Sequence, residues 1–95
     1  MVNGWIVCGD FNVNTDDEVI SRLRHNGFNY SHAEDPDAAT CNANRRARMI
    51  DFLFHDARLS PEPIALTQVR DDTPLPDPDE PSDHVAVAAK LRWSA

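Results

Sequence analysis

Carboxylate, carboxamide and imidazole side chains occur at three separate places in this chain, each beside or within a strand-like stretch. Asp10 and Asn12 follow a short apolar run, Asp51 interrupts a longer one, and Asp83 and His84 precede an alternating one. Oxygen ligands suit a hard divalent cation such as Mg²⁺ or Mn²⁺, and an imidazole can move protons at a phosphate. The pattern therefore predicts half of a phosphoester-hydrolysing site, on the condition that the fold brings the three places together.

Asp51 carries the clearest physical argument. In an alternating strand it shares a face with Met49 and Leu53 and lies opposite the neighbouring phenylalanines. Burying a lone carboxylate costs several kcal/mol unless the group is paired. The partner is either Arg48, in a simple strand-end ion pair, or an imidazole whose tautomer Asp51 fixes, and His84 is then the natural choice.

The other two places also have ordinary interpretations. Asp10 and Asn12 are common turn residues, and Asp83 beside His84 is a common surface pair. The three places in this order are more specific than any one of them. The remaining histidines have no such neighbours, and we expect all of them to be solvated: His25, His32 and His55.

One helix and several strands must position these groups. Residues 5–8 are an apolar run typical of a buried strand, which places Asp10 beyond its carboxyl end, where α/β sheets bind ligands. Thr15 and Glu18 form a capping-box pattern that predicts a helix over 16–25. Strands are predicted at 40–42, 48–54, 64–69 and 85–93, with loops at 31–39 and 70–82.

The predicted fold is α/β with one helix and a mixed, largely antiparallel sheet. A single helix covers one face of a sheet at most, so the other face needs a cover from elsewhere. Residues 1–95 form one domain, because a chain of this length has a limited core.

Composition narrows the class of protein further. The chain is 41% hydrophobic and 26% charged, without an apolar stretch of membrane-spanning length. Two cysteines, Cys8 and Cys41, do not make a disulfide framework, so we expect a reduced, cytoplasmic protein. The net charge of −7, with acids concentrated in 71–83, disfavours a broad duplex-binding surface. The net charge does not exclude binding of a short strand or a small phosphorylated substrate, and residues 45–48 contain the one basic cluster.

Three ordered motifs resemble the endonuclease/exonuclease/phosphatase superfamily, which has the deoxyribonuclease-I-like fold. They are Gly9-Asp10-Phe11-Asn12, Ile50-Asp51-Phe52-Leu53-Phe54 and Pro81-Ser82-Asp83-His84. The resemblance extends over residues 5–93 and covers the C-terminal half of that fold. Thr40-Cys41-Asn42 and Leu75-Pro76 look most like the branch of deadenylases, nocturnin and 2′-phosphodiesterases.

The resemblance implies a role for each residue of the three motifs. Asp10 would orient or deprotonate the attacking water, and Asn12 would hold a phosphoryl oxygen. His84 would stabilise the transition state, and Asp51 would orient His84. Asp83, with Asp10 and Asn12, would position Mg²⁺ or Mn²⁺.

The chain also departs from this family. The family fold is a four-layer α/β sandwich of two halves, of which the first supplies a metal-binding glutamate; no glutamate here has that context. Asn42 and Arg46 are the expected substrate-binding residues. Arg46 stands where some members stack an aromatic ring on adenine, five residues before Asp51. A guanidinium there indicates a different substrate, or stacking on a base or a grip on a phosphate.

Three functions remain open at this point. In the first, the chain is a fragment or truncated form of a Mg²⁺-dependent phosphodiesterase, and it hydrolyses a phosphoester only together with the missing N-terminal half. Alternatively, it is a weakly active stand-alone remnant whose uncovered sheet face drives homo-oligomerisation. As a third reading, it is a binding module that retains the scaffold.

Overall fold

The computed structural model describes residues 3–94 and is organised around strand β5. β5 (Asp51–Asp56) lies between β1 (Ile6–Asp10) and β2 (Phe28–Tyr30) in a three-stranded antiparallel sheet. Phe52 and Phe54 alternate along β5 and are completely buried on one face. The stretch that the sequence marks as most strand-like is therefore the centre of the sheet.

Helix α1 (Glu18–His25) covers that face of the sheet. The helix confirms the prediction for 16–25, but its start is not the predicted one. Asp17 is the N-cap, its carboxylate accepting the N–H of Val19 at 2.9 Å. The predicted capping box of Thr15 and Glu18 is therefore wrong, and Glu18 instead pairs with an arginine one turn along the helix.

The core between α1 and the sheet is an aromatic cluster. Four rings contact one another at centroid distances of 5.1 to 5.6 Å, mostly edge to face: Phe11, Tyr30, Phe52 and Phe54. Ile20 and Met49 complete the cluster. Met49 consequently packs on the phenylalanine side, so the prediction that it shares a face with Asp51 is wrong.

The predicted strand over 48–54 is in fact two elements. β3 (Cys41–Ala43) and β4 (Arg46–Arg48) form a hairpin, and β5 begins three residues after β4 ends. Asn44 and Arg45 close the hairpin with φ of 57° and 59°, as a two-residue type I′ turn requires. Residues 49–50 lie outside any strand, which interrupts the alternation predicted for 48–54.

β6 (Leu59–Pro63) pairs with β7 (Ala89–Trp93) in a separate two-stranded antiparallel sheet, although residues 64–88 separate the two strands in the chain. The strand predicted at 64–69 is wrong, because the strand precedes that segment and contains two prolines. Just before β6, the carbonyl of Arg58 accepts the N–H of Ser94, and just after β6, the N–H of Ile64 donates to the carbonyl of Ala88. Because hydrogen-bonded and non-hydrogen-bonded positions alternate in an antiparallel pair, the nitrogens of the two prolines point away from β7. No N–H donor is needed on that side of β6.

The strand predicted over 85–93 is confirmed only for its second half, β7. The alternation of burial extends from residue 85 to residue 91, since Val85, Val87 and Leu91 are more buried than their neighbours, but it does not include Trp93, which is exposed. The loops predicted at 31–39 and 70–82 contain no strand or helix.

β1 is an edge strand and not the buried strand predicted from its apolar sequence. Trp5, Ile6 and Val7 are 57, 51 and 40% exposed. Ile6 pairs with His55 on the sheet face opposite the aromatic core, so α1 cannot cover it. Along β1 the predicted uncovered face is therefore present among residues 3–94, although His55, on the same face of β5, is buried.

Two of the three histidines expected to be solvated are buried. His32 donates from Nε2 to the carbonyl of Ile64 at 2.8 Å and accepts the hydroxyl of Ser31 at Nδ1. His55 is also buried, and only His25 is exposed as predicted.

The observed class is a small mixed α/β domain. All strand pairs among the described residues are antiparallel, which confirms the largely antiparallel sheet expected from the sequence, and none of these pairs is parallel. Across residues 3–94, no helix has the length and apolar character needed to cross a membrane.

Candidate functional site

Asp51 and His84 form a hydrogen-bonded carboxylate–imidazole pair. His84 Nδ1–H donates to Oδ2 of Asp51 at 2.7 Å, and the two side chains are 30 and 18% exposed. This contact resolves the alternatives for Asp51 in favour of the imidazole. Because the carboxylate accepts at Nδ1, the other ring nitrogen, Nε2, is the one presented to the open side of the pair.

Thr40 fixes the position of Asp51. Its buried hydroxyl oxygen accepts the backbone N–H groups of Ile50 and Asp51 at 3.1 and 3.2 Å. Asp51 is the first residue of β5, and its cross-strand partner in β1 is Asp10. The register of the sheet therefore places these two carboxylates side by side.

His84 is held by an isolated β-bridge to Cys41. The flanking backbone bonds run from Asn42 N–H to the Asp83 carbonyl at 3.0 Å and from Val85 N–H to the Thr40 carbonyl at 2.8 Å. This pattern makes Cys41 and His84 a non-hydrogen-bonded pair, in which facing side chains approach most closely.

Two further carboxylates flank the open nitrogen of His84. Nε2 lies 3.9 Å from Oδ2 of Asp10 and 3.7 Å from Oδ1 of Asp83, and both of these side chains are about half exposed. The other oxygen of Asp10 accepts the backbone N–H of Asn12 at 2.8 Å. Asn12, with φ of 53°, is thus tied to Asp10 through its backbone.

These surroundings raise the pKa of His84 above its ordinary value of 6.5. The hydrogen bond to Asp51 is the main cause, and the charges of Asp51, Asp83 and Asp10 act in the same direction, whereas partial burial opposes them. A larger fraction of His84 is therefore imidazolium near neutral pH, which equips Nε2 to donate a proton or a charged hydrogen bond.

The metal-ligating atoms form two sets that share His84. One set contains Asp10, Asp51 and His84, and the other contains Cys41, Asp83 and His84; within each, the ligand atoms lie within 4.8 Å of one another. The oxygens of Asp10 and Asp83 suit Mg²⁺, which keeps several waters and needs few protein ligands. One ion held by both carboxylates would require one exposed side chain to turn toward the other, because Asp10 and Asp83 belong to different sets.

Of the two expected substrate-binding residues, Arg46 lies apart from this centre, whereas Asn42 adjoins it through its backbone bond to Asp83. Asn42 is buried, and its amide donates to the carbonyls of Arg70, Asp71 and Thr73. That arrangement gives Asn42 a structural role in holding the 70–73 loop. Arg46 is exposed on β4 and lines a cleft that contains neither Asp51 nor His84.

Sequence reasoning missed the importance of Thr40 and Cys41. The sequence places both in a short strand without indicating a task for either at the site. The signal is the position of Thr40 directly before the hairpin that leads to Asp51, and of Cys41 as the first residue of that hairpin. Burial, with the charge of Asp83, raises the pKa of the Cys41 thiol, so the thiol is neutral in this environment.

Comparisons with protein-family models, with curated proteins and with solved structures gave no significant match to this chain. Its resemblance to a known superfamily consequently depends on the three ordered motifs alone.

Proposed function

We propose that the chain is the C-terminal half of a Mg²⁺-dependent phosphodiesterase or nuclease of the endonuclease/exonuclease/phosphatase superfamily. The observation that supports this proposal best is the Asp51–His84 hydrogen bond with Asp10 and Asp83 on either side of Nε2. Residues far apart in sequence, taken from all three motifs, meet in this one place. The same carboxylates would be costly to bring together if packing were their only task.

Each side chain has a distinct task in the proposed hydrolysis. The imidazolium of His84 donates from Nε2 to a phosphoryl oxygen, stabilising the charge that builds up in the transition state. Asp51 keeps the ring in the correct tautomer and orientation. Asp10 accepts a proton from the attacking water or orients it, and Asn12 offers its carboxamide to a phosphoryl oxygen.

Asp10 and Asp83, with Asn12, are the residues that would hold Mg²⁺ or Mn²⁺. When bound there, the cation neutralises phosphoryl charge and makes water more acidic. With two carboxylates and no glutamate in the site, we expect this chain by itself to bind the cation weakly.

The proposal also explains the uncovered face of the sheet. In a four-layer sandwich, a second half would pack over Ile6 and its neighbours and bring the missing glutamate to the site. The substrate class is a phosphodiester such as a single-stranded oligonucleotide, because the acidic chain lacks a broad basic surface.

The test is hydrolysis of a short oligoadenylate by the 95-residue chain with Mg²⁺ or Mn²⁺. We expect slow, cation-dependent cleavage that disappears in the Asp10→Asn/His84→Ala variant. His25→Ala, which removes an exposed histidine from α1, is the matched control and should retain the rate. Cleavage that persists at the same rate in the double variant would contradict the proposed site.

A second function is supported by the exposed apolar residues of β1. Ile6, on the open face, would make the chain a self-associating or binding module in which a second copy covers that face. This alternative predicts a stable oligomer whose assembly does not depend on Asp10 or His84. Equal assembly of the wild type and the double variant, without hydrolysis by either, would favour it.

A further inference from the structure

We propose that Cys41, Asp83 and His84 bind a thiophilic divalent cation, Zn²⁺ above all, at a position that shares Asp83 with the proposed magnesium site. This inference does not depend on the proposed hydrolysis. It follows from the second set of ligand atoms, a thiol, a carboxylate and an imidazole whose donor atoms lie within 4.8 Å of one another.

The backbone holds two of these ligands in place. Cys41 and His84 face each other as a non-hydrogen-bonded cross-strand pair, fixed by the backbone bonds on either side of them. Asp83 precedes His84 directly, and its carbonyl accepts one of those bonds. The three ligands therefore do not need to be gathered from mobile loops.

Asp51 completes the arrangement expected of a zinc-binding histidine. Metal-bound histidines commonly donate their other ring N–H to a carboxylate, which sets the tautomer and strengthens the ligand. The Nδ1–H of His84 donates to the carboxylate of Asp51, so Nε2 is the ring nitrogen that remains to bind the cation. Asp83 Oδ1 lies 3.7 Å from that nitrogen.

The ligand chemistry selects zinc over magnesium. A thiolate is a soft ligand that suits Zn²⁺, whereas Mg²⁺ prefers oxygen. Three protein ligands leave one tetrahedral position open for water or for Asp10, whose carboxylate lies on the other side of Nε2. Burial is the main cause of the raised pKa of the Cys41 thiol, and the charges of Asp83 and Asp51 act in the same direction. The charge of Arg48 opposes them, and the two carboxylates also attract a cation to the thiol.

A role for Cys41 as a nucleophile fits less well. A nucleophilic thiol needs exposure and a lowered pKa, and Cys41 has neither, since it is 2% exposed and its pKa is raised. A bound cation, by contrast, deprotonates a coordinating thiol directly.

Cobalt binding tests the site, because Co²⁺ replaces Zn²⁺ and shows a thiolate-to-metal charge-transfer band. We expect the band in the wild-type chain and in Cys8→Ser, which removes the exposed cysteine. It should be absent in Cys41→Ser, and Zn²⁺ should displace it from the wild type. Asp51→Asn should weaken Zn²⁺ binding by about 10- to 100-fold. No band in the wild type, or a band retained in Cys41→Ser, would overturn the proposal.

X-ray absorption of zinc-loaded Cys8→Ser gives a result that does not depend on altering Cys41. Cys41 is the only cysteine left in that variant. We expect one sulfur at about 2.3 Å from zinc, together with nitrogen and oxygen ligands. Coordination by nitrogen and oxygen alone would exclude Cys41 as a ligand.

Discussion

The hydroxyl oxygen of Thr40 lies 3.2 Å from the backbone nitrogen of Asp51 and accepts its N–H. The backbone carbonyl of the same threonine accepts the N–H of Val85, next to His84. One buried residue thus fixes both segments whose side chains form the carboxylate–imidazole pair. The geometry of the site depends on Thr40 although it has no chemical role there.

Thr40→Val should destabilise the fold and loosen the site. Valine keeps the shape of threonine but leaves the N–H groups of Ile50 and Asp51 without their acceptor in a buried place. We expect the free energy of unfolding to fall by about 1–3 kcal/mol. Urea denaturation measures the change, with Thr67→Val as the control at an exposed threonine. Equal midpoints for the two variants would show that the Thr40 hydroxyl does not support the fold.

His84 should titrate at a higher pH than an ordinary histidine, and Asp51→Asn should lower that midpoint. The carboxylate stabilises the imidazolium, so removing its charge removes the main cause of the raised pKa. Proton NMR of the metal-free chain over a pH series measures both values. Asp79→Asn, which removes a carboxylate that does not contribute to the His84 shift, is the control. An unchanged midpoint in Asp51→Asn would contradict the assigned pair.

The same pKa shift makes stability depend on pH in a defined direction. The folded-state pKa of His84 exceeds 6.5, so the pair contributes its full stabilisation below that pH. The contribution is lost as the pH rises through the raised pKa. Denaturation at a series of pH values should therefore show a larger decline for the wild type than for Asp51→Asn, and parallel declines would be inconsistent with this linkage.

Self-association should depend on the uncovered side of the sheet. Ile6, on β1, is 51% exposed, and Val19, on α1, is 46% exposed. We expect the wild-type chain and Val19→Lys to sediment as a dimer or larger assembly at micromolar concentration. Ile6→Lys should shift the chain toward monomer, because it places a charge on the apolar face. A monomeric wild type at that concentration would rule out this use of the face.

Local sequence patterns were sufficient to predict the helix, the strand-like character of β1 and β5, and the meeting of Asp51 with His84. Those inferences depended on period-2 alternation, on the three ordered motifs and on the cost of burying a carboxylate alone. The uncovered face also followed from counting a single helix. Each of these predictions depends on the sequence of one or a few short segments or on a single energetic consideration.

The misassigned features depend on contacts between distant segments. The position of β6 is set by its register with β7, which the sequence of residues 59–63 does not reveal. The exposure of β1 follows from its place at the sheet edge, and the burial of His32 from its hydrogen bond to Ile64. Cys41 became part of the site only because a β-bridge places it opposite His84.

The most direct test of the central claim is a magnesium titration of the ¹⁵N-labelled chain in the presence of a short oligoadenylate, followed by NMR. The account predicts weak binding, on the order of millimolar, because few carboxylates are available. Chemical shifts should change at Asp10, Asn12, Asp83 and His84, and Asp10→Asn should abolish the change while Asp79→Asn does not. Changes confined to the acidic loop 70–82, or equal in both variants, would contradict the assignment of these residues to one metal and phosphoester site.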